Sequence, residues 1–332
     1  MQNQPTIATV IVTYNAREYI GKCIDSLYKS SVSTAIIVVD NNSSDGTDQI
    51  VQNNFPEVKL IQSSVNLGFG KANNIGINWA LANQAEFVFL LNQDAWLEED
   101  ALSEMLAVAA ANPDYGILSP LHLQYDSQSW HQGFHRYVKL FAPALLEAET
   151  ELSTIYEVNF VPAALWMMNS TALKKAGGFD PIYFMYGEDD DLAARIRAAG
   201  FKVGVASSAK GHHMEKSISD RGISVKRLAA KYFGHYTAVL KHSKHNVIYR
   251  YLSITKSVIQ DILTHSSRGS HKEAKARILA FWNILQIIPK IELSRQKICC
   301  EGAFLNIVSA GAIDRENLDR ILASDSVAGA DR

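Results

Sequence analysis

The sequence contains few cysteines, and their positions exclude a disulfide framework. Three occur in 332 residues, and two of them, Cys299 and Cys300, are adjacent. A disulfide-stabilised secreted domain needs several spaced pairs, so we expect this chain in a reducing compartment, the cytoplasm. The N-terminal segment MQNQPTIATV is polar and lacks the positively charged start of a secretory signal peptide.

Long apolar runs are also missing. The longest, ILAFWNILQII from Ile278, is too short to cross a bilayer, which takes about 20 residues, and it contains Asn283 and Gln286. Two phosphate-binding motifs are absent as well. The segment VTYNAREYIG lacks the GxGxxG of dinucleotide-binding domains, and no P-loop occurs. The sequence therefore predicts neither a membrane-spanning protein nor a member of these two nucleotide-binding classes.

The net charge of −2 conceals an uneven distribution of charge along the chain. Residues 1–215 carry 13 Lys and Arg against 24 Asp and Glu, whereas residues 216–297 carry 16 against 4. Aromatic residues lie among the basic ones, which suits a helix at an anionic membrane surface. The other interpretations are a solvated basic face and an oligomer contact. No nucleic-acid-binding motif is present, so we expect no nucleic acid partner.

The first part of the chain alternates strand and helix patterns. Runs rich in β-branched and apolar residues predict strands, and segments with helical spacing lie between them. This alternation predicts a mostly parallel sheet covered by helices. Residues 113–160 have weak patterns that indicate loops and short strands, and the chain beyond 216 is helical in composition. The predicted strands cover 7–12, 35–40, 58–63 and 86–92, and the predicted helices cover 17–29, 46–53 and 70–82.

Polar groups follow each of the four predicted strands, where ligands of such sheets bind. Asp40 can accept a hydrogen bond from a nucleobase imide or a ribose hydroxyl; alternatively it caps its own turn. Asp94 can bind Mg²⁺ or Mn²⁺ together with substrate phosphates, and Asn92 can offer a carbonyl oxygen. The alternative for Asp94 is a place at the start of the following helix.

Four consecutive acids, Glu188 to Asp191, precede the helical segment LAARIRAAG. Acids at a helix start interact favourably with the helix dipole, which is the structural explanation. Four exceed what capping needs, and the aromatic neighbours Phe184 and Tyr186 can raise the pKa of a carboxylate. One of the acids can then act as a base toward an acceptor hydroxyl.

These motifs occur in a characteristic order: VTYN, VVDNNSSDGT, NLGFGKANNIG, LLNQD, and GGFDPIYFMYGEDDDLAARIRAAG followed by two histidines. In this combination, over residues 5–220, the chain resembles family 2 glycosyltransferases, inverting enzymes of the GT-A fold, and among them bacterial rhamnosyltransferase-like enzymes. The resemblance implies an α/β GT-A domain over residues 1–220, with a mostly parallel central sheet and helices on both faces. A helical, basic C-terminal region follows over residues 221–332.

The resemblance also implies roles for individual residues. It assigns nucleobase binding to Asp40, the metal to Asp94, the catalytic base to Asp189, and a metal or diphosphate contact to one of the two histidines. Two positions depart from the pattern: Asn92 stands in place of an acid, and Ala72 where glycine is common. The complete predicted set is Asp189 as the catalytic residue; Glu188, Asp190 and Trp166 at the acceptor site; Thr13, Tyr14, Asn15, Asp40, Asn42, Asn66, Gly68, Lys71, Asn74, Asn92 and Gln93 at the donor site; and Asp94, His212 and His213 at the metal.

The implied activity is sugar transfer with inversion, dependent on Mg²⁺ or Mn²⁺, in bacterial cell-surface polysaccharide synthesis. The donor is a nucleoside-diphosphate sugar, with dTDP- or UDP-linked sugars favoured, and rhamnose is suggested by the resemblance. The acceptor is a glycan or a lipid-linked glycan, reached at the inner face of the cytoplasmic membrane if the basic region binds there.

Two alternatives to this activity are a sugar nucleotidyltransferase and a non-catalytic glycan-binding or scaffold protein. The first needs a Gly-rich, basic loop after the first strand, and Tyr14-Asn15-Ala16 is not one. Loss of Asp94 or of the acidic run would favour the second, and both are present.

Overall fold

Four parallel strands form the first half of the sheet, as the alternating pattern predicts. The structure is a computed structural model that describes residues 6–147, 155–214, 222–267, 269–298 and 300–305. Its first strands are β1 (Ile7–Thr13), β2 (Ala35–Asp40), β3 (Lys59–Gln62) and β4 (Phe87–Leu91). They lie side by side in the order β3-β2-β1-β4. Each polar strand end therefore meets the others at one edge of the sheet.

Helices cover both faces of these strands, because successive residues of a strand point to opposite sides. Val10 and Leu90 face the core under α3 (Phe69–Ala82), while Ile11 and Phe89 face the core under α1 (Ile20–Tyr28). A short α2 (Thr47–Asn54) connects β2 to β3. The predicted helices are confirmed, with ends shifted by up to three residues.

The second half of the sheet is mixed rather than parallel. It continues from β4 through β8 (Leu165–Asn169), β6 (Tyr115–Gln124) and β9 (Lys202–His213) to β5 (Ala95–Leu97), while β7 (Ile155–Val158) also pairs with β9. β8 runs antiparallel to both of its neighbours, whereas β6 and β9 are parallel. The fold class is confirmed, but the mostly parallel character applies to the first half. The helices of this half are α4 (Ala101–Ala111), α5 (Gln132–Phe141), α6 (Ala144–Glu147), α7 (Ser170–Ala176) and α8 (Glu188–Ala198).

The expectation of loops and short strands in residues 113–160 is wrong for β6 and α5. The segment YGILSPLHLQ forms one ten-residue strand in which nine residues are buried. Pro120 within it stands at a register shift against β9, where a missing N–H is tolerated. Burial between two other strands, and not an alternating pattern, is what makes this segment a strand.

The described residues after 222 form four helices, which confirms the expected helical C-terminal region. They are α9 (Val225–His242), α10 (Val247–Ser267), α11 (His271–Gln286) and α12 (Ile288–Gln296). Apolar residues that include Leu240, Ile254 and Ile284 form a core of their own between these helices. Residues 306–332 of the predicted region lie outside the described residues.

A buried network of charges connects this helical region to α8. The Asp191 carboxylate on α8 pairs with Arg195 at 2.9 Å and with the Lys241 ammonium of α9 at 2.6 Å, and these three side chains are fully buried. Lys241 also pairs with Asp180, which accepts a hydrogen bond from Ser294 of α12. Two carboxylates and two cations thus neutralise one another in the interior.

The network makes the ionised form of Asp191 favourable despite its burial. Burial alone would raise the pKa of Asp191, but Arg195, His242 and Lys241 hold that pKa well below its usual range. Because the pKa is lower in the folded than in the unfolded chain, this contribution to stability is complete above about pH 4. It is lost progressively as the pH falls below that value.

We predict that Asp191→Asn lowers the free energy of unfolding by about 3–5 kcal/mol, because Arg195 and Lys241 keep buried charges that Asp191 no longer neutralises. Urea denaturation at pH 7, followed by tryptophan fluorescence, measures the change. Asp25→Asn, at an exposed aspartate of α1, is the control, and it should alter stability by no more than about 0.5 kcal/mol. Equal midpoints for the two variants would contradict a stabilising role for the network.

Candidate active site

A cleft of about 500 Å³ opens where the carboxyl ends of β1, β2 and β4 meet the segment that leads into α8. Nine of the residues predicted from the sequence line it. Nine residues that the sequence prediction did not assign also do so, and Asn41, Met185 and Arg227 are among them. The predicted residues in the lining are Tyr14, Asn66, Gly68, Asn92, Gln93, Asp94, Glu188, Asp189 and His213.

Asp40 orders the turn after β2. It is buried, and its carboxylate accepts hydrogen bonds from the Thr13 hydroxyl at 2.8 Å and from the Ser43 hydroxyl and N–H at 2.6 and 3.0 Å. Asn15 and Asn42 adopt left-handed backbone conformations, with φ of 52° and 66°. The cleft lining does not include Thr13, Asn15, Asp40 or Asn42. These contacts favour the alternative in which Asp40 caps its own turn.

Asn41, next to Asp40, connects the end of β2 to the loop before α3. Its amide group donates to Asn66 Oδ1 at 2.9 Å and to the Gly68 carbonyl at 3.1 Å, while its oxygen accepts from the Leu67 N–H at 2.7 Å. The sequence prediction chose Asn42 instead of Asn41. The sequence offered no signal for this choice, because β2 is buried on both faces and its residues show no alternation.

Gly68 is the point where the two walls of the cleft meet. Its φ is 79°, and a Cβ atom at this position would lie 2.1 Å from the Phe184 carbonyl oxygen. That oxygen accepts a hydrogen bond from the Phe69 N–H at 3.0 Å. Only glycine combines this conformation with so close an approach. Gly68 therefore fixes the spacing between the donor wall and the segment that carries the acids.

Asp94 and His213 form one corner of the cleft because β5 runs antiparallel to the end of β9, with Ala95 paired to His213. Asp94 Oδ1 lies 3.4 Å from His213 Nε2, and the amide nitrogen of Asn92 lies 3.3 Å from the same ring nitrogen. Both side chains of the pair are partly exposed to the cleft. A carboxylate oxygen and an imidazole nitrogen are thus close enough to share one cation.

His212 points away from this corner, so its predicted role at the metal is corrected in favour of His213. The His212 ring stacks on Trp96 with 3.7 Å between centroids. Its Nδ1 lies 2.7 Å from the Gln124 carbonyl oxygen, and its Nε2 lies 3.3 Å from Glu98 Oε1. The reason is the alternation of side chains along β9, which sends adjacent residues to opposite faces.

The donor set at this corner fits a hard divalent cation. Among the described residues, no group of three or more His, Cys, Asp and Glu side chains has a metal-binding arrangement. Mg²⁺ characteristically binds through one or two carboxylates while phosphates and water supply the remaining ligands. Asp94 with His213 matches this pattern for a cation that arrives with a diphosphate.

Glu188 and Asp189 face the cleft from the first turn of α8. Glu188 is buried, its Oε2 has no hydrogen-bond partner in the described part of the chain, and burial and the neighbouring Asp189 raise the pKa of Glu188 to about 8. Burial also raises the pKa of Asp189, whose Oδ1 accepts from the Asp190 N–H at 3.0 Å. The raised pKa favours the protonated form of Glu188 at neutral pH. Asp190 is exposed and lies outside the lining.

The structure places three other predicted residues away from the cleft. Trp166, expected at the acceptor site, is fully buried, and its indole N–H donates to the Val161 carbonyl at 3.1 Å. Asn74, expected at the donor, instead donates to the carbonyls of Phe179 at 2.8 Å and Phe304 at 3.1 Å. Lys71, partly exposed on α3, is not in the lining. Trp166 therefore packs in the core, and Asn74 joins α3 to the segments that contain Phe179 and Phe304.

The C-terminal helix α9 reaches the cleft through a contact between two glycines. A Cβ atom on Gly187 would lie 2.7 Å from Gly234 Cα, and one on Gly234 would lie 2.2 Å from the Tyr186 carbonyl oxygen. This close approach brings Arg227 over Tyr186, and Arg227 Nε donates to the Tyr186 hydroxyl at 2.6 Å. The sequence offered a basic block but no signal that this member of it lies beside the acids.

The geometry agrees with a comparison to known families, in which the model of glycosyl transferase family 2 matches residues 9–177. The chain belongs to glycosyl transferase family 2. It is a glycosyltransferase, as the motifs predicted, and the interpretation as a sugar nucleotidyltransferase is excluded.

Curated relatives of this glycosyltransferase include two bacterial rhamnosyltransferases. N-acetylglucosaminyl-diphospho-decaprenol L-rhamnosyltransferase of Mycobacterium tuberculosis is 28% identical over 237 residues, which are 64% of this chain and 77% of that protein. Rhamnosyltransferase WbbL of Escherichia coli K12 is 24% identical over 208 residues, covering 58% and 78%. The predicted similarity to rhamnosyltransferase-like members of the family is confirmed.

Solved structures share the fold of the glycosyltransferase. The crystal structure of residues 1–349 of Staphylococcus aureus TarS in complex with UDP-GlcNAc superposes with a TM-score of 0.53 at 18% identity. The similarity extends over 90% of this chain and 89% of that one. It therefore includes helices after the sheet as well as the sheet itself.

Proposed function

We propose that this glycosyltransferase inverts the anomeric centre of its donor and transfers a sugar from a nucleoside-diphosphate sugar to a hydroxyl of a lipid-linked glycan, in bacterial cell-surface polysaccharide synthesis. The observation that carries the proposal is a single cleft that holds the Asp94–His213 corner together with the Glu188 and Asp189 carboxyl groups. The names of the two relatives support rhamnose as the sugar, and the name of the mycobacterial relative supports a lipid diphosphate acceptor.

The donor wall consists of the strand ends. Tyr14 is exposed at the rim, and its backbone is fixed by Gln93, whose oxygen accepts from the Tyr14 N–H at 2.7 Å. We assign the nucleobase to this wall, between Tyr14 and Asn66. Asp40 already accepts three hydrogen bonds from the protein, and a carboxylate has about four acceptor positions. Because Asp40 is buried outside the cleft lining, it supports this wall by ordering the turn after β2. The UDP-GlcNAc complex of TarS is what favours a UDP- or dTDP-linked donor.

The diphosphate belongs at the opposite end of this wall, at Asp94 and His213. These two side chains would hold Mg²⁺ or Mn²⁺, and the amide of Asn92 lies beside the same ring nitrogen of His213. When bound, the cation neutralises the diphosphate as it leaves. Because Asn92 contributes no charge, Asp94 is the carboxylate on which this function depends.

We predict that Asp94→Asn raises the Mn²⁺ concentration needed for half-maximal turnover at least tenfold, since a charged ligand is worth more than about 1.4 kcal/mol. Turnover is measured as release of nucleoside diphosphate over a Mn²⁺ titration, and calorimetric titration of Mn²⁺ with UDP or dTDP present gives a second readout. Asp100→Asn, a change at an exposed acid on the loop after β5, is the control. Full turnover in EDTA would reject the metal site.

The base in this proposal is Asp189. When two carboxyl groups are adjacent, the negative charge of one raises the pKa of the other. One of the two therefore keeps its proton to a higher pH. Glu188, with a pKa of about 8, keeps it and can donate a hydrogen bond to the acceptor. Burial raises the pKa of Asp189, so its carboxylate is a stronger base than that of an exposed aspartate. The acceptor oxygen attacks the anomeric carbon, the bond from that carbon to the diphosphate breaks, and Asp189 takes the hydroxyl proton.

We predict that Asp189→Asn lowers kcat about a hundredfold or more, because the amide keeps the shape of the side chain and loses its basicity. Steady-state kinetics with the donor and a lipid-linked acceptor measure kcat, and the affinity for UDP or dTDP should stay unchanged. Asp190→Asn, one residue further along α8, should lower kcat only a few-fold. Near-normal turnover of Asp189→Asn beside an inactive Glu188→Gln would reverse the assignment of the two acids.

Helix α10 supports a place for this enzyme at a membrane surface. None of the helices in the described part of the chain combines the length and apolar composition that a bilayer crossing requires. One ridge of α10, which includes Ile254 and Val258, packs into the helical core. The opposite ridge is 52–71% exposed and consists of Ile248, Leu252, Ile259 and Leu263. We propose that this second apolar ridge and nearby lysines bind the surface of an anionic membrane.

We predict that the protein sediments with phosphatidylglycerol vesicles at low salt, and that binding weakens as NaCl screens the lysine charges. Changing both Ile248 and Leu252 to Glu should reduce the bound fraction at least tenfold, because each loses apolar contact and gains repulsion. Val65→Glu alters an exposed apolar residue outside the helical region and serves as the control. Absence of binding at low salt would leave the ridge as a contact between copies of the chain.

A further inference from the structure

Two cations of α9 lie together at the mouth of the cleft. Arg227, Lys231 and Gly234 are spaced by four and three residues, so they share one face of the helix. The contact of Gly234 with Gly187 and Tyr186 presses this face onto the segment that leads into the catalytic acids. As a result Arg227 bonds to the Tyr186 hydroxyl at 2.6 Å, and Lys231 Nζ lies 5.5 Å from the centre of the same ring.

These two cations differ from the buried cations of the chain in their partners. Arg195 and Lys241 pair with Asp191, and Arg250 pairs with Glu292. Within the ranges that the structure describes, the side chains of Arg227 and Lys231 contact Tyr186 and form no ion pair. Both are exposed, and Arg227 is part of the cleft lining. Positive charges held in place beside a ligand cleft favour an anionic group of the ligand.

The position of the pair favours the acceptor as the source of that anion. The donor diphosphate is assigned to Asp94 and His213, whereas Arg227 is held by the segment that ends at Glu188 and Asp189. On the same segment, Phe184 and Met185 expose apolar side chains next to the cations. A ligand bound along this surface would thus contact the carboxyl groups at one end, and the two cations and the apolar side chains beyond them. That order matches a sugar, a diphosphate and a lipid chain.

We propose that Arg227 and Lys231 bind the diphosphate of an acceptor in which a sugar is joined to a lipid through a diphosphate. This inference rests on the proposed function, because it takes the acids as the place where the acceptor hydroxyl reacts. The guanidinium of Arg227 presents a planar pair of donors to phosphate oxygens, and its bond to Tyr186 orients it in advance. Lys231 adds a second charge to the same group.

The test measures binding of a lipid diphosphate directly, without assuming the sugar. Farnesyl diphosphate and farnesol are titrated against the full-length protein saturated with Mn²⁺ and with UDP and dTDP, which occupy the donor site. The intact protein should bind farnesyl diphosphate at least tenfold more tightly than farnesol. Changing Arg227 and Lys231 together to Met should abolish this preference, because methionine keeps an apolar stem and removes the charge. Lys226→Met, a neighbouring exposed lysine of α9 outside the cleft lining, should retain it.

Kinetics separate the acceptor from the donor as the bound group. Arg227→Met should raise the KM for a lipid diphosphate-linked sugar about tenfold or more and leave the KM for the nucleotide sugar unchanged. A raised donor KM, displacement of farnesyl diphosphate by UDP or dTDP, or an intact preference in the double variant would overturn the subsite. If no nucleoside diphosphate stabilises the protein against heating with Mn²⁺ present, the proposed function fails instead.

Discussion

The position of Glu188 and Asp189 in the cleft depends on one buried ion pair, between Asp191 of α8 and Lys241 of α9. Removing two charges from water is costly, and the pair persists because Arg195 and Asp180 complete a neutral set with further hydrogen bonds. Arg195 uses its remaining donors for the carbonyls of Ala176 and Gly178, at 2.6 and 2.5 Å. The start of α8 is thus fixed from three directions, two residues away from Asp189.

The fixed position of α8 allows the Glu188 carboxyl group to be buried although its Oε2 has no hydrogen-bond partner in the described part of the chain. Left-handed conformations at Tyr186 and Gly187, with φ of 73° and 92°, turn the chain into α8 so that Glu188 points inward. A flexible helix start would let Glu188 rotate toward water and recover its ordinary pKa. The buried network holds the helix in place, and the raised pKa of Glu188 is a consequence of that support. Asp191 of the buried network and the two carboxyl groups that line the cleft therefore lie in the same turn of α8.

The sequence predicted the features that local pattern determines. β-branched runs identified β1, β2 and β4, and the polar groups after them correctly indicated where a cleft opens. Local pattern does not encode partners that are far apart in the chain. Asn74 belongs to a motif, yet its amide braces Phe179 and Phe304, more than 100 residues away. His212 and His213 are equivalent by sequence, and pairing of β9 with β5 decides that His213 faces Asp94.

The contact between Gly187 and Gly234 joins the C-terminal helices to the cleft. Residues on both sides of position 220 therefore line the same cleft. The wall formed by the strand ends lies before residue 95 apart from His213, whereas the opposite wall combines the segment before α8 with a helix from the C-terminal region. Under the proposed function, exchange of that region between relatives would leave most of the wall assigned to the nucleotide in place and replace part of the surface assigned to the acceptor. Such an exchange requires a glycine at each of the two positions, because a methyl group at either one would push α9 away from the cleft. The pair of glycines is thus a compatibility requirement for chimeric enzymes with new acceptors.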